Sequence, residues 1–306
     1  MKKSWAIALG VVLLLLASAA FLDPRSALLG YLKGDSFFGG RPTTFWRNAL
    51  TDPNPAVQEQ ARQTLKEGGA GAVPVLAELL QEQRTDWHTV EARWTAAEVL
   101  GQIGPEARAA MPRLLAALKD PDVHVRTVAA TTLAEIHAPA AEVVPALPAM
   151  LATDDRLAAV KALARYGPEA RAAVPTLTEL LRDRDADVRW NAARTLGEIS
   201  REAADGVPAL TEALKDQDPA VREHAAESLG LIGTQDSKAI AGLIEALKDK
   251  EGRVRRDAVR SLGQIGPAAK VALPSIKPLL KDSVSKVRDA AAVAMARIDP
   301  EKKTGK

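Results

Sequence analysis

Apolar residues recur every three or four positions through most of the chain, in short stretches separated by charged turns. The segment VPTLTELLRDRDADVRWNAARTLGEIS, residues 174–200, is one complete example. Leu177, Leu180 and Leu181 share a face of a first predicted helix, which Pro175 opens because a first turn does not need the missing N–H. A second helix is predicted after the charged turn, and its apolar face consists of Val188, Ala192, Ala193, Leu196 and Ile199.

This helix pair recurs with a nearly constant period. Prolines at the equivalent first-turn position are separated by 30 to 38 residues, most often by 33, which is typical of stacked supersecondary units. Ala and Leu dominate the apolar residues and only 4% of the chain is aromatic, so helices are predicted and strands are not. The marker positions are Pro74, Pro112, Pro145, Pro175, Pro208, Ala241 (the one without proline) and Pro274.

A recurring connector joins successive helix pairs. GPEARAA occupies residues 104–110 and 167–173, and the related GPAAKVA occupies residues 266–272. Its glycine stands where the second helix ends, a position that favours positive φ, and its proline prevents the helix from continuing. Gly104, Gly233 and Gly266 are therefore predicted to end helices, and a short helical turn is expected to lead into the next pair.

Two charged positions recur in register with five of the seven markers: an aspartate lies eight residues after the marker, and an arginine lies fourteen residues after the marker. Such arginines are able to grip an acidic ligand, but contacts between stacked repeats must recur at every junction, whereas a ligand has no reason to follow the same period. The sequence therefore favours a structural ladder, in which each arginine bonds an aspartate of its own or a neighbouring turn. Its members are Asp120, Arg126, Arg156, Asp183, Arg189, Asp216, Arg222, Asp249, Arg255, Asp282 and Arg288, with Arg93 and Arg156 fitting after a short insertion and deletion.

The pattern resembles the HEAT repeat, as DPAVREHAAESLGLIG at residues 218–233 illustrates. It is most similar to the short HEAT-like variety of phycobilisome lyases, from about Thr44 to Ile298. The resemblance implies an all-α fold, an α-solenoid of about eight stacked helix pairs in a superhelix whose second helices line the concave side. It also implies a binding or scaffolding role. The first repeat departs from the pattern with Trp46 at a leucine position, as expected of an end repeat.

The amino terminus is predicted to be a targeting segment. Two lysines precede an uncharged run from Trp5 to Leu22, whose length lies between that of a cleaved signal peptide and that of a membrane anchor. Both alternatives place the rest of the chain outside the cytoplasm, either membrane-anchored or released, and the absence of cysteine is compatible with either. The predicted organisation is a signal or anchor at 1–22, a linker at 23–43, a repeat domain at 44–300 and a basic tail at 301–306.

The sequence offers no motif for catalysis, so no catalytic residue, cofactor or metal ligand is predicted. The four histidines form no HExxH motif, and there is no GxSxG elbow and no phosphate-binding loop. The alternative is a repeat-related enzyme, similar to phycobilin lyases or to deoxyhypusine hydroxylase, which holds di-iron on repeated His-Glu pairs. The nearest approach to such a pair is His224 and Glu227, and one pair does not build a two-metal site.

Charge is distributed unevenly along the chain. Residues 240–306 contain 15 Lys and Arg against 8 Asp and Glu, although the whole chain has a formal net charge of only +2. Arg253, Arg256 and Arg260 lie near one helical face, but no aromatic residue interleaves with them, which argues against nucleic acid as a partner. An acidic protein or an anionic lipid suits this basic end better, with Arg256 expected to be solvated.

The residue directly after each ladder arginine is expected to face the concave surface or its rim. Trp94 and Trp190 occupy this position in two different repeats, and tryptophan is a frequent anchor of protein interfaces. The competing interpretation is that both rings fold back into packing between repeats. The predicted partner-binding strip comprises Trp94, Glu98, Thr127, Leu157, Lys161, Trp190 and Arg194, and its expected partner is another protein.

Overall fold

The computed structural model describes residues 24–300, and within them the fold is all-α apart from one short hairpin. Helix α1 spans Pro24–Lys33, strands β1 and β2 span Phe37–Phe38 and Arg41–Pro42, and the helix pairs begin at Thr43. The predictions for residues 1–22 and 301–306 lie outside the described residues. No helix within residues 24–300 is both long enough and apolar enough to cross a bilayer.

Eight helix pairs follow one another in the described residues, which confirms the predicted α-solenoid of stacked repeats. The first helices are α2 Thr43–Leu50, α4 Val73–Leu79, α6 Met111–Ala117, α8 Ala140–Val143 with α9 Pro148–Leu151, α11 Val174–Leu180, α13 Val207–Ala213, α15 Ser237–Ala246 and α17 Leu273–Ile276. The second helices are α3 Pro55–Glu67, α5 Trp87–Ile103, α7 Val123–Glu135, α10 Arg156–Ala164, α12 Ala186–Ile199, α14 Pro219–Ile232, α16 Gly252–Ile265 and α18 Ser285–Ile298.

The pairs fall into two compact units, and the chain passes from the first unit to the second between Ala138 and Pro139. The first unit contains three pairs, ending with α7, and the second contains five, beginning with α8. Each unit is described by itself below.

The pair at residues 174–200 shows why this sequence forms two helices. Pro175 lies in the first turn of α11, and the apolar positions that predict the two helices are buried. Asp185 caps α12, because its carboxylate accepts a hydrogen bond from the N–H of Asp187 at 2.8 Å. The same Asx cap precedes α14, where Asp218 accepts from the N–H of Ala220.

The connectors form 3₁₀ turns, as the positions of glycine and proline predict. Gly104 and Gly266 adopt φ values of 74° and 73°, where a side chain would be strained. Each is followed by a 3₁₀ helix, Gly104–Ala110 and Gly266–Ala272, whose alanines at 107, 110, 269 and 272 are buried. The connectors therefore contribute small side chains to the core as well as reversing the chain.

Glycine also allows the second helices to approach closely. A methyl group at Gly263 on α16 would lie 2.8 Å from the Cα of Ala294 on α18, and one at Gly230 would collide with Ser261. At the Gly230 junction a hydroxyl also crosses to the preceding second helix, since Ser261 donates to the carbonyl of Ala226 at 2.7 Å. Three further hydroxyls, those of Thr132, Thr195 and Ser228, make the equivalent bond 35 residues back.

The segment before the first pair, predicted as a linker at 23–43, contains two short strands, so the expectation of no strands is wrong here. Here α1 is followed by the hairpin, in which Phe37 pairs with Pro42 and Phe38 with Arg41. The hairpin packs on the first repeat: the indole of Trp46 donates to the carbonyl of Phe38 at 3.2 Å, and the two rings lie 5.6 Å apart. Two glycines at 39 and 40 with positive φ permit this turn, a feature that helical periodicity does not reveal.

Candidate partner-binding face

Within each unit, ladder arginines connect one repeat to the next, so that their guanidinium groups are engaged inside the stack. Arg189 on α12 donates from Nε and Nη2 to both carboxylate oxygens of Asp216, 27 residues ahead, at 2.8 and 2.9 Å. Its Nη1 donates to the carbonyl of Asp183 in its own turn at 2.9 Å. The sequence left open whether the partner belongs to the same or to a neighbouring turn, and the geometry shows that both turns take part.

The same 27-residue pairing recurs within each unit. It links Arg93 to Asp120 in the first unit, and Arg156 to Asp183, Arg222 to Asp249 and Arg255 to Asp282 in the second. Arg126 donates to the carbonyl of Asp120 in its own turn at 2.7 Å. Arg288 donates likewise to the carbonyl of Asp282, and no carboxylate among residues 24–300 extends the ladder beyond it.

Three of the paired aspartates, Asp183, Asp249 and Asp282, have pKa values below that of an ordinary aspartate. The hydrogen bond from Arg156 lowers the pKa of Asp183, and that from Arg255 lowers the pKa of Asp282. At Asp249 burial opposes ionisation, but the hydrogen bond from Arg222 and the backbone N–H of Glu251 outweigh burial, so that its pKa is also lowered. The ladder is thus a row of charge-assisted, largely two-pronged contacts inside the stack.

The residues that follow the ladder arginines do reach the surface of the second helices. Trp190 on α12 is half-buried, and its ring stacks on that of His224 on α14, with centroids 5.2 Å apart and planes inclined by 25°. The indole N–H donates to the carboxylate of Asp187 at 2.9 Å. The ring is therefore fixed by two neighbours and retains an exposed face.

Charged and polar side chains occupy the helix of this ring and the second helices on either side of it. His224 Nδ1 lies 3.3 Å from Glu227 Oε2, and this contact lowers the pKa of Glu227, with Arg260 and Arg256 contributing in the same direction. Arg194 is exposed and lies 3.7 Å from Glu198. Leu157 and Lys161 on α10, the preceding second helix, are half-buried and exposed respectively.

The first unit contains a similar arrangement around Trp94. This half-buried ring meets His124 edge to face, with centroids 5.1 Å apart. Glu98 and Thr127 lie beside it in a groove of about 270 Å³. Trp94 and Trp190 thus lie in different units, and the predicted strip is divided into two aromatic sites, each described within its own unit.

The two histidines are functional candidates that the strip prediction missed. His124 and His224 occupy positions that differ relative to the ladder arginine, two residues before Arg126 and two after Arg222, so no repeat register links them. Only the packing of neighbouring second helices brings each one to its tryptophan. Within residues 24–300, no group of three or more His, Asp or Glu side chains is placed to hold a metal ion.

The basic end differs from its sequence prediction at Arg256. Its guanidinium is not simply solvated, because it lies 2.5 Å from Asp257, a carboxylate that is only 3% exposed, and 3.1 Å from Glu223. Arg253 also pairs with Glu223, at 3.3 Å. These contacts neutralise part of the predicted patch. A groove of about 610 Å³ between α16 and α18 is lined by Arg260, Lys286 and Arg297, of which Arg260 also lies 3.4 Å from Asp257.

Comparison with known proteins agrees with the geometry of the repeats. The family model described as HEAT repeats matches residues 88–164, 153–206, 174–241 and 207–296, which is most of the chain. The chain belongs to the HEAT repeat family. No curated protein sequence matches it.

Solved structures resemble this HEAT repeat chain in fold. YibA of Escherichia coli is 22% identical with a TM-score of 0.62, over 84% of this chain and 92% of YibA. An engineered protein is 24% identical with a TM-score of 0.60, over 88% of this chain and 79% of its own length. Importin beta is 16% identical with a TM-score of 0.56, over 85% of this chain and 41% of importin beta. At these identities the likeness concerns the fold alone.

Proposed function

We propose that this HEAT repeat protein is a noncatalytic scaffold that binds another protein through the second helices, and that it is exported or membrane-anchored. The observation that carries the binding proposal is the fixed, half-buried ring of Trp190. HEAT repeat solenoids generally act by binding other proteins, and the architecture of this chain is compatible with that role.

Trp190 has the features of an interface anchor. Its ring is held in place by His224 and Asp187 before any partner arrives, so little side-chain entropy is lost when a partner covers it. The exposed charges of Lys161 and Arg194 provide the polar rim that surrounds such anchors. The basic groups of the α16–α18 groove extend this face at one end and are proposed to accelerate the approach of an acidic partner.

Replacement of Trp190 tests the binding site. Trp190→Ala should weaken capture of the natural partner from membranes by roughly 30-fold or more, the effect of losing an anchor residue worth about 2 kcal/mol. The measurement compares parent and variant in affinity capture followed by titration of the captured protein, with helical content checked by circular dichroism.

Val271→Ala is the control, because Val271 is 70% exposed in the connector Gly266–Ala272, outside the second helices. A protein that is captured equally by the parent, by the Val271 variant and by a correctly folded Trp190 variant would place the binding face elsewhere.

Localisation follows from the uncharged run between Trp5 and Leu22 and is tested separately. A reporter active only in the cytoplasm, fused after Lys306, should be silent, because the run directs the following residues across the membrane. Strong reporter activity would contradict both the anchored and the released form. The enzyme alternative stays a hypothesis, and stoichiometric iron in the purified protein would support it.

A further inference from the structure

Helix α1 exposes an unusual amount of apolar side chain to solvent. Leu28, Leu29, Tyr31 and Leu32 are 58%, 55%, 75% and 72% exposed. Four such residues within a ten-residue helix form a continuous patch, whereas the other large exposed apolar side chains of residues 24–300 are scattered along the chain. Solitary exposed apolar residues need no explanation, but a contiguous patch indicates a surface that something covers.

Helix α1 packs on the hairpin through the opposite face, so the apolar patch stays exposed. Gly30 is the buried residue of its second half, and it lies so close to Pro42 that a methyl group there would collide with the proline ring. After α1 the chain is tied down, because Asp35 accepts hydrogen bonds from the N–H and the hydroxyl of Thr44. The face with Gly30 is thus committed to the hairpin, and the leucines point away from it.

The position of α1 along the chain identifies what covers the patch. The uncharged run from Trp5 to Leu22 ends two residues before α1 begins at Pro24. If that run is held in a bilayer, α1 begins at the membrane surface, where a short helix buries apolar side chains at the boundary between headgroups and acyl chains. Tyrosine is enriched at this depth, and the exposed Lys33 at the end of α1 suits the anionic headgroups.

We propose that α1 is a membrane-interfacial helix, which inserts Leu28, Leu29, Tyr31 and Leu32 into the lipid surface and fixes the first repeat against the bilayer. This inference rests on the proposed membrane anchoring and extends it, because it gives α1 a lipid contact of its own. The hairpin and the bond of Ser36 N–H to Glu78 then connect that contact to α4 of the second helix pair.

The absence of cysteine makes the proposal directly measurable. Single cysteines are introduced as Leu28→Cys and Leu32→Cys in the full chain, with Glu59→Cys on the exposed surface of α3 as the control. Each is spin-labelled and reconstituted into phosphatidylcholine vesicles that contain phosphatidylglycerol. Collisions with oxygen, which partitions into lipid, are compared with collisions with a water-soluble nickel chelate. Labels at 28 and 32 should favour oxygen by several-fold relative to the label at 59.

The outcomes separate this inference from the proposed anchoring. Vesicle flotation of the unlabelled full chain tests anchoring alone, and a chain that does not float removes the basis of both. If the chain floats and the labels at 28 and 32 collide freely with the nickel chelate, α1 stands in water and the inference is wrong. If those labels are shielded from both reagents, a protein surface covers α1, and the lipid assignment is equally overturned.

Discussion

At the residue scale, the ladder arginines carry the most demanding contacts of the fold. Arg189 is only 6% exposed, and its guanidinium bonds two carboxylate oxygens and two carbonyls. A planar group with several fixed donors suits this arrangement, whereas the single ammonium of lysine does not reproduce it. A buried charge with every partner in place is tolerated well, but removal of one partner leaves the other unpaired.

Arg189→Ala should therefore lower the free energy of unfolding by about 3 kcal/mol, because Asp216 loses its cation inside the stack. Chemical denaturation followed by circular dichroism measures the change. Arg182→Ala, on an exposed side chain of the preceding turn, should stay within about 0.5 kcal/mol of the parent. Equal effects of the two changes would refute the distinction between ladder and surface arginines.

At the element scale, the stack depends on glycines at the points where neighbouring second helices approach most closely. Gly197, Gly230 and Gly263 share one position in successive repeats. In each case the second helix of the next repeat occupies the space that a methyl group would need. Glycine inside a helix is normally unfavourable by about 1 kcal/mol relative to alanine. The glycines are retained at that cost because they allow the helices to pack closely.

Gly263→Ala should consequently destabilise the protein by about 1 to 3 kcal/mol, although helix propensity alone predicts stabilisation. The reason is that its new methyl group meets the backbone of Ala294, which cannot rotate away. Thermal unfolding gives the sign directly. Ala296 holds the same position in the last repeat, where no further helix follows within residues 24–300, so that Ala296→Gly should cost only the propensity difference. A higher melting temperature for Gly263→Ala would contradict the packing argument.

The elements themselves could be predicted from the sequence, whereas several contacts between them could not. The period, the turn aspartates and the connector glycines have local causes, and the structure reproduces them. The partner of each arginine depends on how far one repeat rotates against the next, and the sequence period does not specify that rotation. The hydroxyl residues Thr195, Ser228 and Ser261 recur at 33-residue intervals in the sequence. Only the fold shows that their hydroxyls bond carbonyls of the preceding second helix. The hairpin at 37–42 has a local signal in Gly39 and Gly40, which suit a two-residue turn, but helical periodicity does not register it. The contact of Arg256 with Glu223, 33 residues earlier, depends on how neighbouring repeats pack.

At the scale of the whole molecule, the ladder links stability to pH. The carboxyls of Asp183, Asp249 and Asp282 have lowered pKa values in the folded protein. Each therefore binds its proton more weakly in the folded than in the unfolded state, and stability rises with pH through the acid range. Glu82 acts in the opposite direction, because burial raises its pKa.

Stability should be fully developed above about pH 4, near the pKa of an unfolded aspartate, and should fall as the pH drops further through the lowered folded values. Denaturation curves recorded from pH 7 down to pH 2.5 measure this decline. Asp249→Asn should reduce the steepness of the decline, since it removes one of the linked carboxyls. A free energy of unfolding that stays constant below pH 4 would show that the ladder carboxyls do not govern acid stability.

The constant span of 27 residues between each arginine and its aspartate makes the array tolerant of gain or loss in whole periods. Deletion of residues 208–240 would bring Asp249 to Arg189 in place of Asp216, and Ser261 to the carbonyl of Ala193 in place of Ser228. Every remaining junction would keep its chemistry, whereas a deletion of half a period would leave arginines and aspartates out of phase. Duplication or deletion of one whole period can therefore change the length of the scaffold while every interface between repeats keeps the same contacts.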